Sequence, residues 1–146
     1  NDIAKSAMPS YLKTLINGDG RIPIEIVLGN DFEMAEARSR QQALLKRGVD
    51  CYLTSHSETL KPDGQPMSFP FQSLFNRTSA LLMNSSVEAL ILSVQTNEFL
   101  QTGLPVNQVN KLIHINDEIS DWEDPGVRLE TASHNLVEQI EHYLGT

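Results

Sequence analysis

Cysteine, basic residues and long apolar runs are all scarce in this sequence. One cysteine, Cys51, excludes an internal disulfide and favours a reducing compartment, so we expect a cytoplasmic protein. No apolar run approaches the roughly 18 residues that cross a bilayer. Eleven Lys and Arg residues stand against nineteen Asp and Glu residues, a formal net charge of −8. Because nucleic acids and anionic membranes are bound mainly through basic side chains, neither is an expected partner.

The motifs of common cofactors and metals are also missing. Gly18-Asp19-Gly20 precedes the first predicted strand, whereas a phosphate-binding loop follows its strand and opens a helix. No set of His, Cys, Asp and Glu residues has the spacing of zinc ligands. No serine stands in a Gly-x-Ser-x-Gly elbow. We therefore predict no cofactor and no metal site, and a non-catalytic role is favoured over an enzyme.

The composition is that of an ordinary globular chain, with 40% hydrophobic and 21% charged residues among 146. This length suits one domain, residues 1–146. Because the chain begins with Asn1 rather than Met, we expect it to be part of a longer protein. Apolar residues at helical spacing predict an amino-terminal helix over 3–16, packed on the domain or preceding it.

Short apolar segments alternate with amphipathic ones from residue 22 to the end. Glycine, proline and capping residues separate them. The pattern predicts strands over 22–29, 49–54, 87–94 and 111–115, and helices over 32–47, 71–83 and 129–144 with a short one at 97–101. Residues 58–70 and 116–126 are predicted loops. This order favours an α/β three-layer sandwich, flavodoxin- or Rossmann-like, with a four- or five-stranded, mostly parallel sheet.

Polar side chains follow each of the four predicted strands. The carboxyl ends of parallel strands share one edge of the sheet, where α/β proteins bind ligands. The ligand-binding residues that we nominate at these ends are Asn30, Asp31, Ser55, His56, Ser93, Thr96, Asn116 and Asp117. The alternative at each position is a structural role, because Asn, Asp and Ser also cap helices and form turns.

Three residues near this edge are candidates for catalysis, namely His56, Asp31 and Glu98. A histidine can act as a general base near neutral pH, and a carboxylate can do so when its environment raises its proton affinity. The competing interpretation of His56 is an exposed loop residue without a role. The three do not form a known catalytic motif.

The chain resembles the receiver domains of response regulators. Asp31 after the first strand, Ser93 near the end of the third and Leu104-Pro105 in the next loop stand where that family has its acidic pocket, phospho-acceptor and loop. Only one acidic residue follows the first strand, no aspartate stands at the acceptor position, and the family's lysine is missing. The resemblance therefore implies a degenerate receiver that takes no phosphoryl group.

The chain is also similar to TIR domains. Asp31-Phe32, the helix ending at Gly48, and Leu90-Ile91-Leu92-Ser93 followed by Glu98 carry this similarity. In the NAD-cleaving members a glutamate after such a strand is catalytic, so the similarity implies a catalytic Glu98. The family's Trp-Cys pair near that glutamate is absent here.

Two hypotheses for function follow from the sequence. The first is a non-catalytic interaction or regulatory module, with a protein partner or self-association. The second is a small-molecule or nucleotide-binding enzyme that uses the edge at the strand ends, of which a TIR-like NAD hydrolase is one example.

Overall fold

The computed structural model describes residues 22–144 and places five strands of this region in one sheet. The strands of this sheet are β1 (Ile24–Leu28), β2 (Cys51–Thr54), β3 (Thr59–Leu60), β4 (Ala89–Val94) and β5 (Lys111–His114), and a separate hairpin pairs β6 (Ile119–Ser120) with β7 (Arg128–Leu129). The α-helices are α1 (Ala35–Lys46), α2 (Leu74–Leu82), α3 (Glu98–Thr102) and α4 (Ala132–Glu141). The helix predicted over 3–16 lies outside the described residues.

The spatial order of the strands is β3-β2-β4-β1-β5. β4 pairs in parallel with both β1 and β2, β5 pairs in parallel with β1, and only β3 is antiparallel. The predicted α/β sandwich with a four- or five-stranded, mostly parallel sheet is therefore confirmed, and the sheet has five strands. The parallel strands occur in the order second, third, first, fourth of the chain, whereas flavodoxin itself places its first strand between the second and third.

The helices divide unequally between the two faces of the sheet. Ala37 of α1 packs with Val27, Leu53 and Ile91 on one face. On the other face, α2, α3 and α4 contribute Leu74, Leu81, Phe99, Leu136 and Ile140 to a larger core. Right-handed crossovers explain the division, because the chain moves one way along the sheet from β1 to β2 and the opposite way afterwards.

The predicted helix over 32–47 begins later than expected. Residues Phe32–Met34 form a single turn of 3-10 helix, and Glu33 and Met34 both have a φ of 54°. Left-handed backbone is rare outside glycine and interrupts a right-handed helix, so α1 starts at Ala35. Asp31 therefore lies in an extended segment between β1 and this turn.

Three short strands were not predicted from the sequence. β3 lies within the predicted loop 58–70, β6 lies within the predicted loop 116–126, and β7 begins two residues after that loop. Each strand has only two residues, which is too short for an alternating pattern to identify. β6 and β7 matter for the site, because their hairpin lies at the edge where β4 ends.

Cys51 is expected to be unreactive in the folded protein. Its side chain is fully buried on the α1 face, and both this burial and the negative charge of Glu25 raise the pKa of its thiol. Only the thiolate is a strong nucleophile, so a maleimide dye should label Cys51 only after denaturant is added. Mass spectrometry of the labelled chain measures this, and rapid labelling of the native chain would contradict the buried position.

Candidate functional site

A cleft of about 410 Å³ lies where the carboxyl ends of β1, β2 and β4 meet. β1 and β4 are neighbours whose outgoing connections cover opposite faces of the sheet, which is where α/β sheets open a crevice. The volume is within the range of small-ligand pockets, roughly 300–1,000 Å³. The residues that line the cleft are Asn30, His56, Gln95, Thr96, Glu118, Ser120, Pro125, Gly126 and Arg128.

Asn116 fixes the β1 side of the cleft. Its Oδ1 accepts hydrogen bonds from the backbone N–H groups of Asn30 (2.8 Å) and Glu118 (3.0 Å), and its Nδ2 donates to the Asn30 carbonyl oxygen (2.9 Å). Gly29 allows this close approach, because a Cβ at Gly29 would lie 2.6–2.9 Å from three atoms of Asn116. Asn116 therefore positions Asn30 and Glu118 without lining the cleft itself.

The hairpin of β6 and β7 forms the opposite wall. The Ser120 N–H donates to the Gln95 carbonyl oxygen (3.0 Å), and the Asn97 N–H donates to the Ser120 carbonyl oxygen (3.2 Å). The Asn97 Oδ1 also accepts a hydrogen bond from the Trp122 N–H (2.9 Å). These bonds attach the hairpin to the end of β4 and bring Ser120 and Arg128 to the cleft.

Glu118 and Arg128 are an ion pair at the cleft. Arg128 Nη1 donates to Glu118 Oε1 at 2.5 Å, and Asn30 Nδ2 donates to the same oxygen at 3.2 Å. The hydrogen bond from Asn30, followed by that from Arg128, lowers the pKa of the Glu118 carboxyl group. Glu118 is thus ionised at neutral pH, and the charges of the pair cancel.

His56 is a half-buried residue of the cleft. Burial lowers the pKa of its imidazole from the ordinary value of 6.5, and the positive charge of Arg77 adds to this against the opposite effects of Glu98 and Glu58. The imidazole is therefore neutral at pH 7. Its Nδ1 is buried and has no hydrogen-bond partner among the described residues.

The lowered pKa of His56 predicts a dependence of stability on pH. The unfolded chain binds a proton near pH 6.5 that the folded chain does not, so the free energy of unfolding should fall as the pH drops below this value towards the folded pKa. The effect should fade over about one pH unit above 6.5, as the unfolded chain also loses this proton. Urea unfolding of the wild type and of His56→Asn between about pH 5.5 and 7.5 gives the contribution of His56 as the difference between their free energies of unfolding. A difference that does not change with pH would contradict the prediction.

Asp31, a candidate for catalysis and binding, is placed by the structure at the start of α1. Its side chain is buried, and its Oδ1 and Oδ2 accept hydrogen bonds from the N–H groups of Glu36 and Ala37, each at 3.0 Å. These are amide groups of the first helical turn, which have no partner within the helix. Asp31 is a capping residue and does not line the cleft.

Glu98, the third candidate for catalysis, is also engaged in capping. The carboxylate is buried, with Oε1 accepting from the Leu74 N–H (2.8 Å) and Oε2 from the Phe75 N–H (2.9 Å) and the Ser73 hydroxyl (2.7 Å). Glu98 belongs to α3, and its carboxylate thus caps the amino terminus of α2. Both of its oxygens face protein donors and not the cleft.

The other nominated residues divide between the cleft and its support. Thr96 lines the cleft, but Ser93 is fully buried and accepts a hydrogen bond from the Gln95 side chain at 2.9 Å. The Ser55 hydroxyl accepts from the N–H groups of Ser57 and Glu58 in the turn after β2. Asp117 bonds to His114 and Ser133 and does not line the cleft. Three of the eight nominated ligand-binding residues therefore line it: Asn30, His56 and Thr96.

Six of the residues that line the cleft were not nominated from the sequence. Gln95 and Glu118 are among the polar residues that follow the third and fourth predicted strands, so the strand-end rule points to them although they are not among the eight nominated residues. Ser120, Pro125, Gly126 and Arg128 come from the hairpin, for which the sequence holds no comparable signal.

Comparison with known proteins gives no family for this chain: no protein-family model matches it, and no curated protein does. Over residues 22–144, no three His, Cys, Asp or Glu side chains come together as metal ligands would. Within the same range, no helix is both long and apolar enough to cross a membrane.

Proposed function

We propose that this chain is a non-catalytic regulatory or interaction module that binds a small polar ligand in the cleft. The observation that carries the proposal is the use of the two candidate carboxylates. Asp31 and Glu98 each give both oxygens to the amino terminus of a helix, while the cleft is lined mostly by neutral amide, hydroxyl and imidazole groups.

The chemistry of the lining supports binding over catalysis. Asn30 and Gln95 carry amides that both donate and accept hydrogen bonds, and Thr96 and Ser120 carry hydroxyl groups with the same capacity. Among the described residues, neither the Thr96 nor the Ser120 hydroxyl group is hydrogen-bonded to His56, and His56 Nδ1 has no hydrogen-bond partner that would orient the ring. Such a lining suits a ligand recognised by hydrogen bonds.

Ser93 supports the same proposal. It stands where the receiver resemblance places the phospho-acceptor, yet it has no solvent-exposed surface. A buried hydroxyl that already accepts a hydrogen bond from Gln95 is poorly placed to receive a phosphoryl group. A module that responds to a bound ligand, and not to phosphorylation, agrees with this burial.

A screen by nuclear magnetic resonance tests the proposed function. The ¹⁵N-labelled chain is titrated with pools of amino acids, neutral sugars, nucleosides and NAD, and the compounds are analysed afterwards by mass spectrometry. We expect one uncharged or charge-balanced class to shift the amide signals of Asn30, Gln95 and Thr96 and to be recovered unchanged. NAD should release no nicotinamide, since Glu98 has no free oxygen.

Matched variants decide whether the cleft is responsible. Gln95→Ala removes an amide from the lining and should weaken binding by roughly tenfold, because one buried hydrogen bond is worth about 1 kcal/mol or somewhat more. The control variant is Gln108→Ala. Gln108 lies in a different pocket, with Ile22 and Ile24, so this variant should bind the ligand like the wild type. Turnover of any compound, or signal shifts confined to other surfaces, would contradict the proposal.

A further inference from the structure

We infer that the ligand of the cleft carries an ammonium and a carboxylate close together, as a free α-amino acid does, and that Glu118 and Arg128 hold these two groups. The inference rests on the proposed function and names its ligand class. It follows from the charges of the cleft, from the unused hydrogen-bonding capacity of the pair, and from the distance between its members.

The charges of the lining select a dipolar ligand. Glu118 and Arg128 are its only Asp, Glu, Lys or Arg residues among those described. A ligand with one charge would be attracted by one member of the pair and repelled by the other. A ligand with both charges can meet both members, so neither side chain is left without an opposite charge.

The pair has bonding capacity left for such a ligand. Both hydrogen bonds to the Glu118 carboxylate, from Asn30 and from Arg128, go to Oε1. Among the described residues, Oε2 of Glu118 and the Nε and Nη2 groups of Arg128 make no hydrogen bond. Their side chains are half-exposed, 50% for Glu118 and 61% for Arg128. The ligand ammonium can thus donate to Oε2, and the ligand carboxylate can accept from the guanidinium, while the pair stays intact.

The hairpin does not depend on this pair for its structure. The ladder between β6 and β7 and the backbone bonds from Ser120 and Asn97 hold it to the sheet. Exposed ion pairs contribute little to folding stability. Contacts between a ligand and this ion pair should therefore remove very little stability from the fold.

The distance between the two side chains sets the size of the charged group. Because Glu118 and Arg128 are in contact at 2.5 Å, a ligand that meets both must have its own charges only a few atoms apart. An α-amino acid has one carbon between its ammonium and its carboxyl group. An extended tripeptide separates them by roughly three residues at about 3.3–3.6 Å each, which is too far. The nearby Asn30, Gln95 and Thr96 favour a polar side chain on that amino acid.

Chemical blocking of the ligand tests the inference on the unaltered protein. The probe is a pool of L-serine, L-threonine, L-asparagine and L-glutamine, compared with the N-acetyl derivatives and the amides of the same four compounds. We expect the free amino acids to shift the cleft signals and each blocked form to bind about tenfold more weakly, because a charge-assisted bond is lost. Equal binding of free and blocked forms would overturn the inference and leave the proposed function standing.

Two variants assign the two ends of the ligand. Glu118→Gln should abolish the preference for a free ammonium over the acetylated form, and Arg128→Gln should abolish the preference for a free carboxylate over the amide. Glu123→Gln, an exposed residue between β6 and β7, is the control and should retain both preferences. If no amino acid binds but a sugar or nucleoside shifts the cleft signals, the inference fails alone. If no compound of any class shifts them, both the inference and the proposed function fail.

Discussion

Replacing Glu98 with alanine is expected to lower the free energy of unfolding by about 3 kcal/mol, because several buried donors lose one charged acceptor together. The carboxylate accepts hydrogen bonds from the Ser73 hydroxyl and from the N–H groups of Leu74 and Phe75. No water can replace it easily, since Glu98 is only 3% exposed. Glu98→Gln keeps one acceptor oxygen and should cost about half as much. Urea unfolding at pH 7 measures both losses.

The same experiment separates the two interpretations of Glu98. A catalytic carboxylate is commonly held at some expense of stability, so its removal would leave the free energy of unfolding unchanged or increased. Glu123→Ala, an exposed glutamate, provides the control and should stay within about 0.5 kcal/mol of the wild type. If Glu98→Ala has the same free energy of unfolding as the wild type, the capping role is contradicted and the enzyme hypothesis is favoured instead.

Gly29→Ala should cost more, about 4 kcal/mol, because backbone strain and a steric clash add to each other. Gly29 has a φ of +125°, and the new Cβ would lie within 2.9 Å of the backbone nitrogen and oxygen of Asn116. Asn116 would have to move, and its bonds to Asn30 and Glu118 would move with it. Large shifts of the Asn30 and Glu118 amide signals should therefore accompany the loss of stability.

Gly48→Ala is the matched control for Gly29. Gly48 also has a positive φ, +81°, but a Cβ there would meet no atom within 4 Å. Backbone strain alone should cost about 1–2 kcal/mol. The difference between the two substitutions in chemical denaturation then measures the clash with Asn116 together with the greater backbone strain of a non-glycine residue at a φ of +125°. Equal losses would show that the contact between β1 and the loop after β5 is looser than the structure has it.

Much of the fold follows from the sequence because the long strands have distinct compositions. The apolar segments at β1, β2 and β4 are bounded by glycine or polar residues, and the helices between them show apolar residues at helical spacing. The order of the strands could not be predicted in the same way. β1 and β4 are both buried along their whole length and are both apolar apart from Glu25 and Ser93, so the pattern does not say which strands lie beside each of them.

The sequence predicted part of the site. The nominated residues that do not line the cleft were selected for one common reason. A polar residue at a strand end has the same appearance in the sequence whether it binds a ligand or supports the backbone. Asp31 stands just before a predicted helix, so its capping role was an open alternative from the start. Glu98 caps a helix that begins 24 residues earlier in the chain, and only the tertiary structure reveals that contact.

Reversible ligand binding in the cleft is tested most directly by titrating the ¹⁵N-labelled chain with free polar amino acids. The amide signals of the protein and the amount of intact amino acid are both measured. The account predicts saturable shifts of the amide signals of Asn30, Gln95, Thr96 and Ser120, together with quantitative recovery of the unaltered amino acid. Consumption of the compound, or shifts that cluster away from the ends of β1, β2 and β4, would contradict it.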